Sequence, residues 1–191
     1  MMLRIALKEW AVICEALGQG RQSVLLRKGP ADEPTGSPFF DVKEIWLYPT
    51  YPVEQAHGIN DETQPLLKEA EAERPPAGTV RLRYWAAIET IYRIREELPA
   101  LLLSHLHCWS QDAVGRMFHD KTPGLYLLVL RVYRMPKPHE IAVTSAHERP
   151  GSWVELEQAL PTDGAAAVLD DESFRIVRKQ LDLLLSPTGF A

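Results

Sequence analysis

The segment "LYLLVLRVYRM", residues 125–135, constrains the fold most strongly, because apolar side chains occupy both its odd and its even positions. A strand with one face in water alternates apolar and polar residues, whereas a strand covered on both faces is apolar at both parities. We therefore predict that this segment is a central strand of a sheet. Such a strand needs a partner along each edge, so other segments must supply the neighbouring strands.

Further strands are predicted on both sides of this segment in the sequence. Residues 22–28 and 39–49 flank a stretch rich in proline and glycine, which predicts that they pair as a long hairpin. Residues 79–94 alternate and are rich in Tyr, Trp and Ile. That pattern favours one long strand, or two strands joined by a bulge near Ala86 and Ala87.

Helices are predicted where apolar residues recur at intervals of three and four. At the N-terminus this spacing is found for Leu3, Ala6, Leu7, Trp10, Ile13, Cys14 and Leu17. Asn60 or Asp61 is positioned to cap a short helix, and Ser110 to cap another. The stretch from Asp170 to Leu185 opens with acidic residues and carries one apolar stripe, which is typical of an amphipathic helix.

The order of these elements predicts an α+β fold. We expect a mostly antiparallel sheet of about five strands, with an N-terminal helix, short connecting helices and a C-terminal amphipathic helix. Neither side of the proline-rich stretch at residues 73–78 supplies a full set of strands, so we predict a single domain over residues 1–191. Within it, residues 60–78 are predicted to form a helical insertion and a loop.

Composition narrows the class of protein. The chain has 191 residues, 46% of them hydrophobic, and a formal net charge of -5. This acidic balance argues against a general, salt-driven affinity for nucleic acid, so any anion site must be local. No segment approaches the roughly 18 apolar residues of a membrane span, and the N-terminus lacks the apolar run of a signal peptide. We therefore predict a cytoplasmic protein without membrane contact, and leave its oligomeric state open.

Cations end or interrupt the predicted strands. Arg27 and Lys28 follow an apolar run, Arg83 lies within residues 79–94, and Arg131 interrupts the central segment. A guanidinium in an apolar strand costs free energy unless it is paired or reaches water. Two interpretations stay open: the cations pair with acids or reach solvent, or several of them converge and bind an anion. The second predicts that Arg27, Lys28, Arg83 and Arg131 bind the anion, with Arg27, Lys28 and Arg131 near one another.

Aromatic residues near these cations suggest which anion would bind. Arginine suits phosphate and aromatic rings stack on bases, so a nucleotide or a single nucleic-acid strand would satisfy both features. The candidates for stacking, or for the loop beside the ligand, are Trp46, Tyr48, Tyr51, His57 and Trp109. Each aromatic residue taken alone also fits a role in core packing.

An enzymatic alternative is based on Asp32, Asp41 and Lys43. A magnesium-dependent, restriction-like nuclease uses acids to hold the metal and a lysine to position the attacking water. Such triplets are common by chance, and the first acid falls in a predicted loop instead of a strand. We keep the nuclease as an alternative and expect no magnesium- or manganese-dependent cleavage.

Other catalytic and metal motifs give weaker signals. His105, His107 and Cys108 lie close together, but their spacing resembles neither a zinc knuckle nor the two-histidine helix motif. The sequence has no glycine-rich dinucleotide fingerprint and no Gly-Lys-Ser/Thr phosphate loop. We therefore predict no metal site and no cofactor.

Several short blocks occur in a fixed order along most of the chain: "ALKEWAVICEALGQG", "VLLRKG", "WLYPTY", "CWSQDAVGRMF" and "LLVLRVYRMPKP". Together they resemble the bacterial family of unknown function DUF1802. In that pattern the aromatic block directly meets a Gln/His pair, whereas here residues 52–54 separate it from Gln55 and His57. The resemblance implies no activity.

The residues themselves favour a non-enzymatic domain that binds an anion, a nucleotide or nucleic acid through strand-end cations and aromatic side chains. The alternatives are the nuclease and a scaffold or partner-binding protein without a small ligand, which would use a helix stripe or a sheet edge.

Overall fold

The computed structural model describes residues 1–29 and 38–185, in which the strands form one mixed sheet. The strands are β1 Met2–Trp10, β2 Val24–Arg27, β3 Glu44–Thr50, β4 Thr79–Ile94, β5 Leu125–Ala142, β6 Trp153–Pro161 and β7 Ala166–Ala167. Their order is β2-β5-β4-β3-β1-β6, with β7 beside β5. β1 and β3 pair in parallel and the other pairs are antiparallel. The predicted α+β class and the mostly antiparallel sheet are confirmed.

The α-helices of the described residues connect these strands or follow them. They are α1 Ala11–Gly18, α2 Gln55–Gly58, α3 Gln64–Ala72, α4 Glu97–Leu102, α5 Gln111–His119 and α6 Asp171–Leu185. Two predicted caps are present: the Ser110 hydroxyl accepts the N–H of Ala113, and the Asn60 side chain accepts the N–H of Thr63. Among these residues, no helix is both long enough and apolar enough to cross a membrane.

The predicted central strand is confirmed in β5, which pairs with β4 along one edge and with β2 along the other. Its residues Leu127 to Leu130 are buried on both faces, as their apolar character at both parities predicted. β4 is one continuous strand. Its register shifts lie between Leu82 and Tyr84 and between Ile88 and Thr90, on either side of the position predicted for the bulge.

The prediction of a helix from residue 3 was wrong for its first half, which is strand β1. β1 lies between β3 and β6, and its residues contribute to both core clusters, so both of its faces are covered. An irregularity between Leu3 and Ile5 puts Leu3 and Ala6 into the same core cluster although they are an odd number of residues apart. Two-sided burial and this irregularity together produced spacings of three and four that imitate a helix.

The predicted hairpin of residues 22–28 with 39–49 was also wrong. β2 is an edge strand beside β5, whereas β3 lies inside the sheet between β1 and β4. Ile45, Trp46 and Leu47 of β3 are buried at consecutive positions, so both faces of this strand are covered. Strand β6, which the sequence reading did not predict, pairs with β1 and buries Val154 and Leu156.

Two core clusters lie about this sheet. The larger one includes the buried apolar residues of α1, α3, α4, α5 and α6 together with residues of the strands. The smaller one holds Trp46, Trp85 and strand residues only, and joins Met135 of β5 to Val154 of β6. Because β5 and β6 are separated by three strands in the sheet order, their shared cluster requires the sheet to curl.

Candidate anion-binding cavity

A cavity of about 300 Å³ lies where β1 and β2 end. Its walls are formed by Glu9, Trp10, Leu26, Arg27, Lys28, Trp109, Met117, Asp120, Lys121 and Ser152. The sheet supplies the residues from β1 and β2, while α5 and its flanking segments supply most of the others. Three predicted site residues, Arg27, Lys28 and Trp109, therefore meet in one cavity, which we call the Arg27 cavity.

A buried ion pair forms one wall of the Arg27 cavity. Arg27 Nη1 lies 3.0 Å from Glu9 Oε2, and the two side chains are 16% and 5% exposed. The same Nη1 donates to the Lys8 carbonyl at 3.3 Å, and the Trp10 N–H donates to Glu9 Oε1 at 2.8 Å. Burial raises the pKa of Glu9, while the charge of Arg27 acts in the opposite direction. Glu9 therefore fixes the position of Arg27 at the end of β2.

Lys28 joins the end of β2 to the segment that follows α5. Its Nζ donates to the carbonyls of Phe118 at 3.3 Å, Thr122 at 2.6 Å and Gly124 at 3.1 Å. A cation at these carbonyls complements the negative end of the α5 dipole. Lys28 thus has a structural role at the cavity and contributes a positive charge to its lining.

The two indoles of the cavity, Trp10 and Trp109, are positioned by a short antiparallel contact between residues 58–59 and residues 109–110. Ile59 forms a bridge with Trp109, and the N–H of Ser110 donates to the Gly58 carbonyl at 2.9 Å. The Trp10 ring lies so close to Gly58 that a Cβ there would overlap it. Glycine at position 58 is therefore required for the Trp10 ring to pack against this contact and line the cavity.

We expect Gly58→Ala to displace the Trp10 indole and to lower the free energy of unfolding by roughly 1–3 kcal/mol, the usual cost of overpacking. Urea unfolding followed by tryptophan fluorescence measures both effects. The matched control is Gly115→Ala within α5, where the Glu97 Oε1 atom, at 3.3 Å, is the one contact of the new Cβ among the described residues. That change should be neutral or slightly stabilising, because alanine is the better helix former. Equal stability of the two variants would contradict the packing assigned to Trp10.

The structure does not bring Arg131 to this cavity. Arg27 pairs with Tyr126 of β5, and Arg131 lies five residues further along that strand, so it points to the opposite face. There Arg131 Nη2 lies 2.6 Å from Asp171 Oδ1, and its guanidinium lies 4.8 Å from the centre of the Phe174 ring. Arg131 thus attaches the start of α6 to the sheet. It follows the interpretation in which a strand cation pairs with an acid and does not bind an anion.

Arg83 also lies elsewhere, in a ladder of ion pairs between β4 and the segment after α3. Its Nη2 is 2.9 Å from Glu73 Oε2, and its Nη1 is 3.6 Å from Glu15 Oε1. The Tyr84 hydroxyl donates to Glu15 Oε2 at 2.8 Å, and burial together with Glu15 raises the pKa of Tyr84 to about 12. The adjoining cavity measures about 20 Å³, which is the size needed for one water molecule.

The aromatic residues predicted to stack on a ligand are in different environments. Trp46 and Tyr48 are buried in the smaller core cluster, and the Tyr51 ring lies 4.8 Å from the Arg74 guanidinium beside the ion-pair ladder. His57 is exposed on α2. Only Trp109 of the five lines the Arg27 cavity among the described residues.

The nuclease residues are not assembled in the described part of the chain. Asp41 lies in a turn and Lys43 precedes β3, with both side chains exposed, while Asp32 lies outside the described residues. Within residues 1–29 and 38–185, no group of three or more His, Cys, Asp or Glu residues is arranged to hold a metal ion.

The sequence reading missed the cavity residues that lie far from Arg27 in the chain. Glu9 was placed in a predicted helix, so its position beside Arg27 could not be seen. Trp10 and Met117 were predicted as apolar positions in helices, and nothing in the sequence distinguished Asp120 and Lys121 from other polar residues. In the sheet order β5, β4 and β3 separate β1 from β2, so the curl of the sheet brings Glu9 to Arg27, and no local pattern in the sequence indicates that curl.

Fold and cavity together define an α+β protein with a curled mixed sheet and a cationic, indole-lined cavity at one end. A family model described as "Domain of unknown function (DUF1802)" matches residues 6–180, so the chain belongs to the DUF1802 family. The crystal structure of ASCH from Zymomonas mobilis is similar, with 15% identity over 92% of this chain and 93% of that chain and a TM-score of 0.46. The crystal structure of a mutant of that ASCH protein is also similar, with 14% identity over 92% of this chain and 94% of that chain and a TM-score of 0.46. No curated protein matches this chain.

Proposed function

We propose that the protein binds a phosphate-bearing ligand, a nucleotide or a single nucleic-acid strand, in the Arg27 cavity. The observation that carries this proposal is the position of the Arg27 guanidinium in a cavity wall next to two indoles. Arginine binds phosphate through several N–H groups at once, and indoles stack on bases.

Arg27 keeps donors for a ligand. Within residues 1–29 and 38–185, its hydrogen bonds to Glu9 and Lys8 both use Nη1. The Nε and Nη2 groups therefore remain on the side of the fork that an incoming phosphate can use.

Charge and size also support a phosphate-bearing ligand. Among the described residues, the cavity lining includes three cations, Arg27, Lys28 and Lys121, and two acids, Glu9 and Asp120, so these side chains sum to one positive charge. The cavity therefore differs in sign from the chain as a whole, whose net charge is -5. Its volume of about 300 Å³ is at the small end of ligand pockets, which fits one nucleotide unit.

The test is a titration with a short oligothymidylate at low and at high salt, with Arg27→Lys as the informative variant. Lysine preserves the charge beside Glu9 but loses the planar fork, so we expect about tenfold weaker binding with little change in stability. The matched control is Arg83→Lys, because Arg83 belongs to the ion-pair ladder outside the cavity. Absence of binding by the unmodified protein at low salt, or equal effects of the two variants, would contradict the proposal.

A further inference from the structure

The Arg27 cavity contains a buried carboxylate whose charge opposes the proposed ligand. Glu9 Oε2 accepts a hydrogen bond from Arg27 Nη1 at 3.0 Å, Glu9 Oε1 accepts one from the Trp10 N–H, and both residues line the cavity. A phosphate bound to the other nitrogens of Arg27 would share this guanidinium with Glu9. The ligand and Glu9 are therefore two anions on one cation.

Two anions that share one cation repel each other, and this repulsion is strong beside side chains as little exposed as those of Glu9 and Arg27. Protonation of Glu9 removes this repulsion and frees Nη1 to bind the ligand. Glu9 is already prepared for this change, because burial raises the pKa of its carboxyl and Arg27 is the main charge that opposes the effect. A ligand that takes part of the interaction with Arg27 leaves the effect of burial less opposed.

We infer that anion binding in the Arg27 cavity is coupled to proton uptake by Glu9, so that the affinity for a phosphate-bearing ligand falls as the pH rises. The proton comes from solvent and is held on Oε2 of Glu9, the atom that releases Arg27 Nη1. This inference rests on the function proposed above, and it assigns Glu9 a role in controlling that site.

The other ionisable groups near Glu9 do not offer the same exchange. They are Arg27 on β2, Cys14 and Glu15 on α1, and Lys28, Asp120 and Lys121 around the cavity. Burial raises the pKa of the Cys14 thiol well above its usual value, so Cys14 stays neutral. Asp120 is exposed, and Glu15 is held by Tyr84 and Arg83 in the ion-pair ladder. No histidine lines the cavity among the described residues.

The test uses the full chain and a phosphodiester ligand, oligothymidylate, whose backbone charge does not change over the pH range studied. Calorimetric titrations in two buffers of different ionisation enthalpy give the number of protons taken up on binding. We expect uptake of up to about one proton per bound ligand and, over the pH range in which uptake is measured, an affinity that falls by up to about tenfold per pH unit.

Glu9→Gln is the variant that identifies the group. Glutamine keeps an acceptor for the Trp10 N–H and removes the charge, so binding should become tighter near pH 8 and nearly independent of pH. Asp120→Asn is the matched control, since it removes the same charge from the same cavity without touching Arg27. It should strengthen binding modestly and leave the proton uptake in place.

The outcomes separate this inference from the proposed function. Binding by the unmodified protein without proton uptake would overturn the role of Glu9 and leave the proposed function intact. Unchanged proton uptake in Glu9→Gln would do the same, because another group would then be the acceptor. No binding at any pH would overturn both.

Discussion

Replacing Arg27 with methionine should lower the free energy of unfolding by roughly 3–5 kcal/mol near pH 8, because it leaves the Glu9 carboxylate buried without its counter-charge. Methionine keeps an apolar stem of similar length, so lost packing contributes little. The Glu9 side chain is 5% exposed, and water therefore cannot replace the guanidinium without rearrangement. Urea unfolding monitored by circular dichroism measures the change.

The loss should depend on pH in a defined direction. Burial raises the pKa of Glu9 above its ordinary value of 4.5, and removal of Arg27 takes away the main opposing charge. A carboxyl whose pKa is higher in the folded state contributes stability below its unfolded pKa and loses it as the pH rises through the folded pKa. Arg27→Met should therefore be less destabilising near pH 5 than near pH 8.

Two further variants isolate the ion pair. The double variant Arg27→Met with Glu9→Gln should regain most of the stability, since no unpaired charge is then buried. Arg178→Met provides a surface control: its Nη1 lies 3.7 Å from Glu89 Oε2, and the side chains are 50% and 36% exposed. That change should cost less than about 1 kcal/mol. A loss equally small for Arg27→Met would show that the Arg27–Glu9 pair does little for folding.

Local sequence patterns correctly predicted the elements whose structure depends on residues close together in the chain. β5 is apolar at both parities because both of its faces are buried, and Ser110 caps α5 through a bond to a residue three positions away. β1 was mistaken for helix because strand pairing is non-local: its pairing partners in β3 and β6 lie about 40 and about 150 positions away in the chain. The order of strands across the sheet could not be predicted for the same reason, because it depends on pairing between distant segments.

The cavity shows the same division between local and distant information. Arg27 and Lys28 were conspicuous because cations rarely end an apolar run without a reason. Their partners were not visible, since Glu9 lies across the sheet and the carbonyls that bind Lys28 belong to the segment after α5. Cations with similar local sequence, such as Arg83 and Arg131, proved to be ion-paired to other elements. The sequence showed which cations lie in apolar strands. It did not show which of them line a cavity and which form ion pairs that hold other elements against the sheet.

His107 offers a test of the larger core that does not depend on any ligand. His107 is 4% exposed, and within the described residues neither ring nitrogen makes a hydrogen bond of good geometry. Burial lowers the pKa of His107 from 6.5 to about 4, and the nearby backbone, including that of Ala100, offsets this only in part. The folded protein therefore keeps this imidazole neutral at pH values where the unfolded chain protonates it.

This difference predicts that the free energy of unfolding falls as the pH is lowered from about 6.5 to about 4, by roughly 3 kcal/mol in total from this group. The sign follows because the unfolded state binds the additional proton, so stability is complete above the unfolded pKa and is lost as the pH falls toward the folded one. Urea unfolding at a series of pH values measures the slope. His107→Gln should flatten it, since glutamine does not titrate, whereas His57→Gln on the exposed face of α2 should leave it unchanged. A slope that persists in His107→Gln would show that another group, and not this buried imidazole, makes the fold sensitive to acid.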